Sequence, residues 1–141
     1  MLDRVDFPLT TSQISEFILD KGYTTYFRLQ SALAELTDSG LLKIELTHNR
    51  TLYNLTEEGA ATINYFRNKI SPEIRQEIDN FINEKKYDLK EEVSVKSDYY
   101  LNTNHEYEVK CQILENGSHL IDMTLTVPTQ TEAEAIVNNW N

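Results

Sequence analysis

The sequence predicts an α+β protein with a helix-rich amino-terminal half, a connecting helix, and a small three-stranded antiparallel sheet covered by a carboxy-terminal helix. Three observations carry this. Apolar residues recur at helical spacing through Ile14, Phe17 and Ile18, through Leu29, Leu33 and Leu36, and again through Ile74, Ile78 and Ile82. From Glu92 onward the apolar period changes to two. Short polar turns, "THNR" and "ENGS", separate apolar runs of strand length.

The first helix lies in "SQISEFILDKG", with Gly22 where it should stop. Thr25 caps a second helix over residues 25–39, in which Leu29, Ala32, Leu33 and Leu36 form the stripe before Gly40 ends it. Two short helices joined by three or four residues form a helix-turn-helix candidate. The stretch "KIELTHNRTLYNLTEEG" then reads as strand, turn, strand and cap. Ile44, Leu46, Leu52 and Leu55 belong to two antiparallel strands, and Thr56 caps a helix carrying Ile63, Phe66 and Ile70 on one face.

Ser71-Pro72 starts the connecting helix, whose stripe of Ile74, Ile78, Phe81 and Ile82 runs to about Lys86. Three strands follow: Val93, Val95, Tyr99 and Leu101 in one, Tyr107, Val109, Cys111 and Ile113 in the next, and Ile121, Met123, Leu125 and Val127 in the last. A two-residue Asn-Gly turn would set Cys111 opposite Asp122 and mismatch the apolar faces. A three-residue loop ending in left-handed Gly117 sets Val109 opposite Met123 and Cys111 opposite Ile121, so parity favours the longer loop. Ala133, Ile136, Val137 and Trp140 form the last helical stripe, which covers the sheet.

Helix, turn, helix ending "LTDSGLL", strand pair, and then Tyr53-x-Leu55-Thr56-x-x-Gly59 resembles the winged-helix transcriptional regulators of the PadR and MarR type. "LDRVDFPLTTSQISEFILDKGYTTYFRLQSALAELTDSGLL" is similar to a winged-helix family of Gram-positive bacteria catalogued only as a domain of unknown function. The resemblance implies a winged helix-turn-helix domain over residues 1–70, and the apolar patterns after it place a connecting helix over 71–90 and a sheet-plus-helix module over 91–141. It also implies a transcriptional regulator that binds double-stranded DNA as a homodimer, paired through helices after the wing. One departure stands out: such domains open with a full helix, whereas only "MLDRV" precedes Asp6-Phe7-Pro8 here. A short first helix should leave Leu29, Leu33 and Ile63 incompletely covered, which predicts a partner chain there or reduced stability.

With helix 25–39 in a major groove and hairpin 43–55 as the wing, helical arithmetic leaves Phe27, Ser31 and Ala34 opposite the core face with Arg28 and Gln30 flanking, and Thr25, Phe27, Arg28, Gln30 and Ser31 are the helix residues expected at DNA. Arg28 suits guanine and Gln30 suits adenine, while Lys43, His48, Asn49 and Arg50 suit phosphate or the minor groove. Charge opposes this, because 13 basic against 23 acidic residues give a net charge of -10. The acidity is uneven, however: residues 1–70 hold seven basic and nine acidic residues, or -2, and residues 71–141 hold six and fourteen, or -8. A nearly neutral reading domain predicts weak, salt-sensitive binding unless two copies act together. The other reading is an acidic winged-helix module that binds proteins and not DNA.

His48, His105 and His119 lack partners at metal-ligand spacing, Cys111 alternates with core residues, and no glycine-rich phosphate loop occurs. Glu57-Glu58 and Glu91-Glu92 sit where capping or solvation explains them. Tyr99, Tyr100, Tyr107 and Trp140 suit an aromatic core better than an effector pocket. The expectation is therefore no enzyme, no cofactor and no metal. The single cysteine and the short apolar runs predict a cytoplasmic protein with no membrane span. Dimerisation, effector sensing and protein binding all stay open as roles for the carboxy-terminal module.

Overall fold

In a computed structural model, which describes residues 1–47 and 49–140, five α-helices and two three-stranded antiparallel sheets are present among the described residues. The chain divides into two compact units, Met1–Leu46 with Arg50–Lys90, and Thr47–Asn49 with Glu91–Asn141.

The first unit opens with one 3-10 turn, Leu2–Arg4, followed by a two-residue strand β1, Leu9–Thr10. Thr10 then starts helix α1, Thr11–Asp20, through a capping box: its hydroxyl accepts from the Gln13 amide at 3.0 Å and the Gln13 side chain accepts from the Thr10 amide at 2.9 Å. The Gln13 side-chain nitrogen also donates to the Leu89 carbonyl at 3.2 Å, so this buried polar group is fully employed. Thr25 caps helix α2, Tyr26–Asp38, and strands β2, Leu42–Leu46, and β3, Thr51–Leu55, follow as the expected antiparallel pair. The two-stranded hairpin of the sequence reading gains a third member. β1 pairs with β3, Leu9 opposite Tyr53, giving the order β1-β3-β2. A two-residue strand is too short to show a period, so nothing in the pattern announced it.

Thr56 caps helix α3, Glu57–Phe66, which ends earlier than the apolar spacing implied. Ile70 lies outside it, beyond a 3-10 turn, Arg67–Lys69. The Thr56 hydroxyl donates toward the carbonyls of Gly40 and Leu41 at 2.7 and 3.0 Å and accepts from the Gly59 amide at 3.0 Å. One side chain therefore ties the end of α2 to the start of α3. Helix α4 spans Pro72–Ser94, longer than the expected stop near Lys86. Ile82, Leu89 and Val93 are all buried at spacings of seven and four, so the stripe continues and Val93 is helical, not the first strand residue. Leu9, Ile14, Leu29, Leu33, Leu42, Tyr53, Ile82 and Leu89 form the core of this unit, with Phe17 stacked at a tilt on Phe81, ring centroids 4.7 Å apart. Beside that core, an apolar cleft of about 330 Å³ is lined by Leu29, Leu33 and Ile63 among others. The expected lack of cover over Leu29 and Leu33 is not observed, since both are buried, and Ile63 is half-buried.

The second unit is the sheet β4-β5-β6, with β4 Val95–Leu101, β5 Tyr107–Glu115 and β6 Ser118–Val127, under helix α5, Gln130–Trp140. Its hairpin corrects the expected three-residue loop. Asn116 and Gly117 both have positive φ, 51° and 79°, as a two-residue primed turn requires, and Glu115 faces Ser118. Parity is restored inside the strand: Leu114 faces His119 but Ile113 faces Ile121, leaving Leu120 as the extra residue of a bulge. Cys111 then faces Met123 and Val109 faces Leu125, so the apolar faces still align.

Ala133 and Val137 of α5 are buried with Tyr99, Val109 and Cys111, and Trp140 donates from Nε1 to the Gln112 carbonyl at 3.2 Å. Tyr99, Tyr107 and Trp140 pack as core, with the rings of Tyr99 and Tyr107 edge to face at 6.0 Å, whereas Tyr100, expected with them, is exposed and donates its hydroxyl to Glu108. Leu101, expected on the apolar face, is exposed at the end of β4. β6 is an edge strand, and Ile121, Met123 and Leu125 are 38–41% exposed.

Cys111 is 0% exposed, and burial pushes its thiol pKa up. Both effects withhold the thiolate. Its reaction with a disulfide reagent at pH 8 should be slower in the native protein than in denaturant by about 100-fold or more; rapid native labelling would contradict this packing.

Candidate nucleic-acid interface

Helices α1 and α2 are joined by residues 21–25, and the joint is fixed from both sides. The Tyr23 ring meets Phe17 edge to face at 5.8 Å, and its hydroxyl donates to the Glu77 carboxylate. Burial first, and the Glu77 hydrogen bond second, push the Tyr23 pKa up to about 12, so the phenol remains a proton donor throughout the physiological range. Leu29 and Leu33 anchor the inner side of α2 in the core, and α2 packs on β2. What is left outward is set by helical geometry.

Of the nine residues expected to face DNA, Thr25, Phe27, Arg28 and Ser31 are exposed on the first turns of α2, with Phe27 80% exposed. Gln30 is half-buried, and its side-chain nitrogen is buried without a hydrogen-bond partner. Lys43 is exposed on β2 and Asn49 is exposed in the β2–β3 connection, whereas Arg50 is half-buried. His48 lies outside the described residues. The structure thus brings Thr25, Phe27, Arg28 and Ser31 onto one helix face.

Sequence reasoning left out Tyr26, which is 53% exposed and holds its ring edge to face with that of Phe27 at 5.9 Å. An aromatic pair at consecutive helix positions breaks the amphipathic stripe, and that was the available signal. Glu35 and Asp38 are exposed on the carboxy-terminal half of α2, so the basic character of this face is confined to its amino-terminal turns, where the helix dipole is also positive. Leu36 was expected in the core but is 39% exposed and lines the apolar cleft.

Among the described residues, no group of three or more histidine, cysteine, aspartate or glutamate side chains could hold a metal ion, and no helix is long and apolar enough to cross a membrane. Fold and site define an α+β protein of two small units whose second helix exposes an aromatic pair and a single arginine, Arg28. The chain belongs to the family described as "Domain of unknown function (DUF4364)", whose model matches residues 1–141. No curated protein and no solved structure is significantly similar to it.

Proposed function

We propose that the protein is a DNA-binding transcriptional regulator whose first unit is a winged helix-turn-helix, with α2 entering the major groove, the β2–β3 hairpin as wing, and two copies acting together. The observation that carries this reading is the outward face of α2. Thr25, Phe27, Arg28 and Ser31 stand exposed at its capped amino-terminal end, directly after a braced α1–α2 joint and before an antiparallel hairpin. Recognition helices of this class read base edges with their amino-terminal residues. The edge strand β6, with its exposed Ile121, Met123 and Leu125, supports a second copy as partner.

The exposed Tyr26–Phe27 pair, and a second pair at Tyr65–Phe66, favour one other reading, a module that docks on proteins. Salt separates the two. On random-sequence duplex, where Arg28 lacks its guanine and rests on phosphate as Lys43 does, two copies with two phosphate contacts each should lose about 100-fold in affinity between 50 and 200 mM salt, and one copy alone about 10-fold. Fluorescence anisotropy with a labelled duplex reads this. No binding at 50 mM would favour the protein-docking module.

A further inference from the structure

The apolar cleft beside the first unit's core is walled by aliphatic side chains from α1, α2, α3 and the strands, and its volume of about 330 Å³ is roughly twice that of an engineered cavity that accepts benzene. An apolar cleft of that size fits an apolar body of about ten carbon atoms. Three of its lining residues, Met1, Asp3 and Ile63, also line a neighbouring small cleft of about 40 Å³ bounded by Arg4, Arg67 and Arg75. Three of the five arginines in a chain of net charge -10 therefore converge at one end of the apolar space.

Two of them are already neutralised. Arg4 pairs with Asp79 at 3.0 Å, and Arg67 pairs with Asp3 and donates to Asn64 at 2.9 Å. Arg75 differs. Its Nε is buried without a hydrogen-bond partner, and no ion pair of its guanidinium occurs among the described residues. A buried guanidinium donor left without an acceptor is costly, and a carboxylate is the acceptor that matches its fork.

We propose that this cleft is a binding site for a small amphiphilic monocarboxylic acid, its hydrocarbon body between α2 and α3 and its carboxylate on Arg75. An aliphatic wall alone would take any oily molecule. The unpaired arginine beside it selects an anionic end. The inference does not depend on DNA binding, although α2 supplies Leu29, Leu33 and Leu36 to the cleft, so an occupant would rest against the inner side of the helix assigned to DNA.

The test uses the full chain, decanoate below its micellar concentration, and 1-decanol as the headless counterpart, read by isothermal titration calorimetry without DNA. Decanoate should bind once per chain, and Arg75→Gln should weaken it by about ten-fold or more while leaving 1-decanol unchanged. Leu36→Trp, at the partly exposed rim of the cleft, should block both ligands without loss of helical circular dichroism. No saturable decanoate binding by the wild-type chain would overturn the proposal. So would decanoate binding that neither substitution alters. Because no DNA is present, an empty result leaves the regulator reading standing, and a failure of DNA binding leaves this site standing.

Discussion

Replacing Gly59 by alanine should destabilise the first unit by about 3 kcal/mol or more, at the upper end of overpacking costs. Helix propensity alone predicts the opposite sign, because glycine inside a helix is worse than alanine by roughly 0.5–1 kcal/mol. Geometry decides otherwise. A Cβ on Gly59 would lie 2.1 Å from the Leu41 carbonyl oxygen and 2.7 Å from the Leu55 Cδ1. The first of these is backbone and cannot rotate aside, so α3 would have to move off the start of β2. That movement would break the Thr56 hydrogen bonds to Gly40 and Leu41 that join α2 to α3. For a unit of this size, thermal denaturation should show a fall in Tm of roughly 12–24 °C. Gly40→Ala is the control: its Cβ meets nothing closer than a Glu58 side-chain oxygen at 3.7 Å, so only the positive φ of 76° is penalised, at about 1–2 kcal/mol. Equal effects at the two positions would contradict the close approach.

The second large effect concerns DNA. Arg28 and Lys43 are exposed, and neither side chain is needed for the core. The double substitution Arg28→Ala/Lys43→Ala should therefore leave Tm nearly unchanged while removing two cationic contacts. Roughly 2–4 kcal/mol of binding should go with them, about 30- to 1,000-fold in affinity. Loss at Arg28 should relax sequence preference, whereas loss at Lys43 should weaken binding to all sequences alike and lower the salt slope by about one per copy. Arg50 is a poorer target because it is half-buried, so its substitution would mix folding with binding.

Much of this arrangement is legible in the residues themselves. Caps and stripes locate α1, α2 and α3 because Thr25, Thr56 and the leucine spacing each act locally. The parity of Val109, Cys111 and Ile113 against Ile121, Met123 and Leu125 requires a one-residue adjustment in the hairpin. Parity does not say where that residue goes. Asn116-Gly117 took the tight turn its chemistry favours, and the bulge moved to Leu120. The end of α4 was hidden because residues 83–88 carry no core residue, so the stripe is interrupted before Leu89 and Val93 resume it. Tertiary packing, not local pattern, holds that last segment helical.

The candidate interface divides in the same way. Leu29 and Leu33 facing inward force Phe27, Arg28 and Ser31 outward, which periodicity alone anticipates. The half-buried state of Gln30 and Arg50 depends on neighbours distant in sequence and has no local signature. The apolar cleft is intermediate. Leu29, Leu33 and Leu36 belong to a stripe visible in the sequence, but the gathering of Arg4, from the start of the chain, with Arg67 and Arg75 beside them required the fold.

Capture of fragmented genomic DNA from the encoding organism by the wild-type chain and by Arg28→Ala/Lys43→Ala in parallel, at 50 and 150 mM salt, tests the central claim most directly. The account predicts enrichment of a few sites by the wild-type chain and its loss in a variant of unchanged Tm. Absence of enrichment at both salts, or enrichment that the variant retains in full, would contradict it.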